Sequence, residues 1–128
     1  MKFRRKSADP IVVALEDAGL STDEAARLAT AGTPLTVRSG VRLIREGDFG
    51  LEAFVLVSGE AVVRVGDEHA RTVAVGEVMG EIAALDPQTR RTATVETTAD
   101  SVVLAYDVRT FRALAAEMTD LLVPERAA

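Results

Sequence analysis

The chain has 128 residues, a formal net charge of −5, a single histidine and no cysteine. That length predicts one domain able to bury its own core, and the missing thiols exclude a disulfide framework or a thiolate metal site. The acidic balance argues against general affinity for nucleic acid.

Lys2, Arg4, Arg5 and Lys6 make a basic N-terminal tip, read as a solvated tail, with contact to an anionic surface as the alternative. The apolar run behind it, 11–15, is broken by Glu16 and Asp17. It is too short for a signal peptide or a membrane span, so a cytoplasmic location without membrane insertion is expected. Asp9 before Pro10 is a helix start, with Ile11, Ala14, Leu15 and Ala18 on one face and Gly19 at the end. Ser21 with Glu24 is a capping-box pattern opening a second helix, whose Ala25, Leu28 and Ala29 face inward. Gly32, Thr33 and Pro34 close that segment.

From Leu35 the pattern changes to short β-branched runs punctuated by Gly40, Gly47, Gly59, Gly66 and Gly76. This predicts strands at 35–37, 41–45, 53–58, 61–65, 71–75, 92–97 and 101–107. Gly66-Asp67 suggests a hairpin turn. Asp107 caps a last helix carrying Val108, Phe111, Leu114, Ala115 and Met118 along one stripe. The expected fold is mainly β with flanking helices. It is a jelly roll over residues 35–107, with helices in 1–34 and a helix and tail in 108–128, all one domain.

The stretch from Gly80 to Val95 carries the chemistry. Gly80-Glu81-Ile82-Ala83-Ala84-Leu85 suits a turn followed by one helical turn; a loop with Pro87 leads to Arg90, Arg91 and Thr92. Helix starts expose unpaired N–H groups that favour an anion. An arginine fork can hold two phosphate oxygens, a threonine hydroxyl can donate another bond, and Glu81 can accept from a sugar hydroxyl. An anion and a hydroxyl on one small ligand describe a nucleotide. Gly80 serving only a turn and Glu81 only capping the helix is the plainer alternative. A surface cation on a strand edge is the plainer reading of Arg91.

Gly80–Leu85 followed by Arg91-Thr92-Ala93-Thr94-Val95 resembles the phosphate-binding cassette of cyclic-nucleotide-binding domains of the catabolite-activator and cyclic-nucleotide-dependent kinase type. The upstream runs 43–48 and 54–60 resemble that family's first strands and glycine turns, so the likeness spans about 35 to 118. It implies a jelly roll and a cyclic nucleotide ligand, cAMP or cGMP. The implied binding residues are Gly80, Glu81, Ile82, Ala83, Arg91 and Thr92. Glu81 would meet the ribose 2′-hydroxyl, and Arg91 and the following helical turn's N–H groups the cyclic phosphate. Arg91 is favoured over Arg90 because Thr92–Val95 must follow it in register. Arg90 is expected to point outward, and neither arginine is asked to fill the core. Thr92 is compatible with cyclic GMP but leaves the nucleotide open.

Two departures stand out: Met79 where the family often has an aromatic, and little sequence beyond Met118 for a long lid helix or a DNA-binding module. Pro124 disfavours a helical continuation. A stand-alone sensor without DNA binding is therefore expected, signalling to a separate protein partner, with a homodimer left open. The alternative is a ligand-free jelly-roll interaction module with a degenerate cassette. An enzyme is not expected, because the lone His69 has no nucleophile marked beside it. A metal site at Asp67, Glu68 and His69 lacks further nitrogen or sulfur ligands.

Overall fold

The structure, a computed structural model, describes residues 9–86 and 88–123. The basic tip, Pro87 and Pro124 lie outside the described residues. Two short helices, α1 (Pro10–Asp17) and α2 (Thr22–Ala31), precede the strands. Asp9 accepts from the Ile11 N–H, and the Ser21–Glu24 capping box is formed in both directions.

The strands are β1 (Thr33–Val37), β2 (Arg42–Ile44), β3 (Glu52–Ser58), β4 (Ala61–Val65), β5 (Glu68–Val73), β6 (Val78–Met79), β7 (Thr94–Thr97) and β8 (Ser101–Asp107). Helix α3 (Glu81–Leu85) interrupts them, and α4 (Val108–Glu117) and α5 (Thr119–Leu122) follow. The strands form two four-stranded antiparallel sheets, ordered β1-β8-β3-β6 and β2-β7-β4-β5. This is the expected jelly roll with flanking helices.

Strands β3 and β8 read as nearly continuous apolar runs because both their faces are covered. Val55, Leu104 and Tyr106 pack toward α1, α2 and α4 with Leu15, Leu28 and Phe111. Their alternates Phe54, Leu56, Val103 and Ala105 turn into the space between the sheets, meeting Ile44, Met79 and Val95. Tyr106 fastens the helical layer: its hydroxyl donates to the Leu28 carbonyl at 2.7 Å, and its ring fills the place a side chain at Gly32 would need.

Several boundaries differ from the sequence reading. Thr33 and Pro34 do not close the helical segment but begin β1. That strand is an edge, where proline's missing donor is tolerated. Strand β5 begins at Glu68, directly after the two-residue turn Gly66-Asp67, and stops at Val73 rather than Val75. Strand β7 starts only at Thr94, so Arg91, Thr92 and Ala93 belong to the loop before it. The pair Val78–Met79, unassigned in the sequence, is a strand paired with Phe54 and Val55. A short α5 follows α4.

Candidate functional site

Gly80 closes β6 and opens α3 with φ 81°, a left-handed conformation that glycine adopts without strain. Its position also leaves no room for a side chain. A Cβ there would lie 2.5 Å from Arg91 Nη1 and 2.9 Å from Ile44 Cδ1. The turn thereby brings the start of α3, the end of β2 and Arg91 into direct contact.

Arg91 is only 8% exposed. Its Nη1 donates to the Gly80 carbonyl at 3.0 Å, and its Nη2 to the Glu52 carbonyl at 2.6 Å. Its backbone is held as tightly: the N–H donates to Asp48 O at 2.6 Å, and its carbonyl accepts from Gly47 N–H at 2.9 Å. Burial pushes the guanidinium below its ordinary pKa, while the charges of Glu52, Asp48 and Glu81 oppose that shift. The strand-edge cation of the plainer sequence reading is therefore excluded. So is the expectation that Arg91 is marginal to the core, since its guanidinium ties β3 to the Gly80 turn.

Arg90 is exposed. Its guanidinium carbon sits 4.4 Å from the centre of the Phe49 ring, and its Nη1 donates to Gly47 O at 2.8 Å. It does not turn wholly away, however, because it also borders the cavity described next.

That cavity, about 430 Å³, is lined by all six residues singled out in the sequence: Gly80, Glu81, Ile82, Ala83, Arg91 and Thr92. Ala83 is buried, Ile82 is 45% exposed at the rim, and Thr92 is exposed. Ile44, Met79, Val63 and Val95 give an apolar wall, and Arg90, Ala93 and Arg71 complete the lining. The arrangement offers a cationic, donor-rich end beside a short helix start and a carboxylate. An apolar floor continues from it, and no described residues form a group suited to hold a metal ion.

Three participants escaped the sequence reading. Gly50 packs its backbone against the Arg91 guanidinium; a Cβ there would fall 2.5 Å from Arg91 Cζ and 2.8 Å from Ala83 Cβ. Glu52 contributes a backbone carbonyl, which carries no side-chain signature. Arg71 reaches the cavity only through strand pairing, which an isolated run does not reveal.

A family model described as the cyclic nucleotide-binding domain matches residues 34–118. The chain belongs to that family. Among relatives of this domain, the Pycsar effector protein PaPycTIR of Pseudomonas aeruginosa is 36% identical over 93 residues, covering 73% of this chain and 30% of the relative. The Pycsar effector protein XpPycTIR of Xanthomonas perforans is 30% identical over 97 residues, covering 76% of this chain and 32% of the relative. The domain thus spans about a third of the length of these curated relatives. Among solved structures, the one described as "Sp-2Cl-cAMPS bound to PKAR CBD2" superposes with a TM-score of 0.74 at 26% identity. It covers 92% of this chain and 79% of that one. Among the described residues, no helix is long and apolar enough to cross a membrane.

Proposed function

We propose that this domain is a regulatory sensor that binds a cyclic nucleotide in the cavity beside α3 and passes the bound state to a protein partner. One observation carries the reading: a buried arginine fork, a glycine-opened helical turn and a carboxylate share one cavity with an apolar wall. Arg91 would hold the cyclic phosphate together with the first N–H groups of α3, which an α-helix leaves without intrahelical acceptors. Glu81 would accept from the ribose hydroxyl, and Thr92 would add a donor at the rim. The residues present fit such a ligand, since a guanidinium carries five N–H donors and the two carbonyl contacts of Arg91 leave it donors to share.

The bound state has a path outward. Arg112 of α4 donates to the Leu85 carbonyl at the end of α3, at 3.4 Å. Arg27 of α2 is paired with Asp23 on its own helix and with Glu117 of α4. A ligand that favours one position of α3 would bias α4 and α2 with it, as a population shift. The partner would read those helices, whether it is a separate protein, a second copy of the chain or a further part of a longer polypeptide. The domain's own role is sensing rather than catalysis.

A ligand-free interaction module is the second reading, and one observation favours it: the Arg91 fork already has a structural task at Gly80 and Glu52. Thermal unfolding separates the two. A cyclic nucleotide at about 100 times its dissociation constant should stabilise the fold by roughly 2.7 kcal/mol. That raises the midpoint on the order of 5–15 °C. No shift with millimolar cAMP, cGMP, cUMP or cCMP would leave the ligand-free module as the reading.

A further inference from the structure

The two sheets end on four edge strands, β1 and β6 in one, β2 and β5 in the other. An open edge presents unpaired N–H and C=O groups to any strand that approaches it. Three of these edges are blunted by length, charge or irregular pairing. Strand β6 has two residues and β2 three, and a register shift breaks the pairing of β2. Strand β5 carries Glu68, His69 and Arg71, and its register shifts as well. Strand β1 has none of these protections. Its five residues, Thr33-Pro34-Leu35-Thr36-Val37, hold no charge and pair with β8 without a break. Thr33, Pro34, Leu35 and Thr36 are exposed.

Proline decides which backbone groups of β1 face outward. Antiparallel partners alternate between pairs that exchange both N–H···O=C bonds and pairs that exchange none. Pro34 stands opposite Leu104 and has no N–H to exchange, so it belongs to the second kind. Thr33, Leu35 and Val37 therefore bond to β8, while Pro34 and Thr36 turn their backbone groups to the open side. A second copy laid antiparallel on this edge, with its two-fold axis at Leu35, would set each Pro34 opposite the other copy's Thr36. Ordinary residues would exchange both bonds there, but proline can only accept. Half of the bonds that β1 could offer to such a continuous sheet are missing, and a ring carbon replaces each missing hydrogen.

We infer that Pro34 guards this edge, keeping the jelly roll from adding a second copy of the chain across β1. A second copy is the partner it excludes, because an identical uncharged strand related by a two-fold axis matches its register by symmetry. With β1 closed, any assembly of the chain has to form through other surfaces. No step involves the cavity, so the outcome leaves the sensor reading untouched.

Sedimentation of the full chain over a range of concentrations tests the guard. Pro34→Thr restores the donor with a polar residue that suits a strand. It should self-associate about tenfold or more tightly than the wild type. Moving the proline two residues on, in Pro34→Thr/Thr36→Pro, should return the wild-type profile, since Thr36 faces the same side. An unchanged profile in Pro34→Thr, or association that persists in the double variant, overturns the role of Pro34. Amide hydrogen exchange gives a reading on the wild-type chain alone. The Thr36 N–H should exchange quickly at every concentration while that of Leu35 is protected. Protection of Thr36 equal to that of Leu35 would mean that the edge is already covered, and would overturn the guard.

Discussion

Arg91 and Gly80 fix each other in place: the guanidinium donates to the glycine carbonyl at 3.0 Å and occupies the space a Cβ on that glycine would take. Neither residue can change without disturbing the other. The same contact sets where α3 begins, so the geometry of the cavity and the stability of the fold depend on one pair.

Gly80→Ala is expected to damage both. A left-handed backbone on a residue with a side chain costs on the order of 1–3 kcal/mol, and the methyl would displace the Arg91 fork. Chemical unfolding should show the lost stability. Calorimetry on the folded fraction should show that nucleotide binding falls further than the loss of folded protein explains.

Arg91→Lys keeps the charge and loses the fork, so one of the two side-chain bonds to the Gly80 and Glu52 carbonyls is lost. We expect nucleotide affinity to drop roughly tenfold to more than a hundredfold. Stability should fall by about 1.5–3 kcal/mol as well, as expected for the loss of a hydrogen bond made by a charged group. Arg90→Lys should change affinity by less than about threefold, since an exposed cation contributes little. Parallel titration and denaturation of the two variants would settle which arginine holds the anion.

The chain's single tyrosine reports on its own packing. Burial raises the Tyr106 hydroxyl well above its ordinary pKa of 10.0. A raised folded value favours the neutral form, so its stabilising contribution is complete below about pH 10 and is lost as pH climbs beyond that. Spectrophotometric titration should show no phenolate in the native protein where denatured protein has already ionised. Tyr106→Phe should remove this alkaline component and cost about 0.5–1.5 kcal/mol, the net worth of one hydrogen bond, because the Leu28 carbonyl keeps the Gly32 N–H as a donor.

Asp107 acts at the other end of the pH scale. As N-cap of α4 it accepts from the Thr110 N–H at 2.7 Å, and hydrogen bonding from Thr110 holds its carboxyl below the ordinary 3.8. A depressed folded value means the contribution is present above the ordinary aspartate range and fades as pH falls through and below it. Asp107→Asn keeps a capping oxygen without the ionisation. The variant's stability should therefore fall less steeply on acidification, measured by denaturant unfolding at a series of pH values.

Much of this architecture is readable because local chemistry and tertiary context agree. Asp9-Pro10 and Ser21–Glu24 mark helix starts by hydrogen bonds confined to a few neighbouring residues. The apolar runs at β3 and β8 are strong because both faces are buried. Gly80, Glu81, Ile82, Ala83, Arg91 and Thr92 are named by the resemblance to the phosphate-binding cassette, and they meet in one cavity. What escapes is non-local. Val78–Met79 is too short to show a period and is a strand only because Phe54 and Val55 lie beside it. Thr92 looks like strand until the loop through Arg91 is stitched to Asp48 and Gly47. Arg71 stands in the sequence only as the first residue of the strand expected at 71–75, and its pairing with Val63 carries it to the cavity wall.

The immobilised fork of Arg91 has a consequence for timing. A side chain already anchored by two carbonyls and walled in by Gly50 has little rotational freedom left to surrender when an anion arrives. Encounter should then be governed by passage through the rim, where Arg90 rests on Phe49, and by long-range attraction to the cations there. Changes to the inner contacts should leave the arrival rate nearly untouched and shorten the residence time instead. The sensor would differ from its variants chiefly in how long it remembers the ligand.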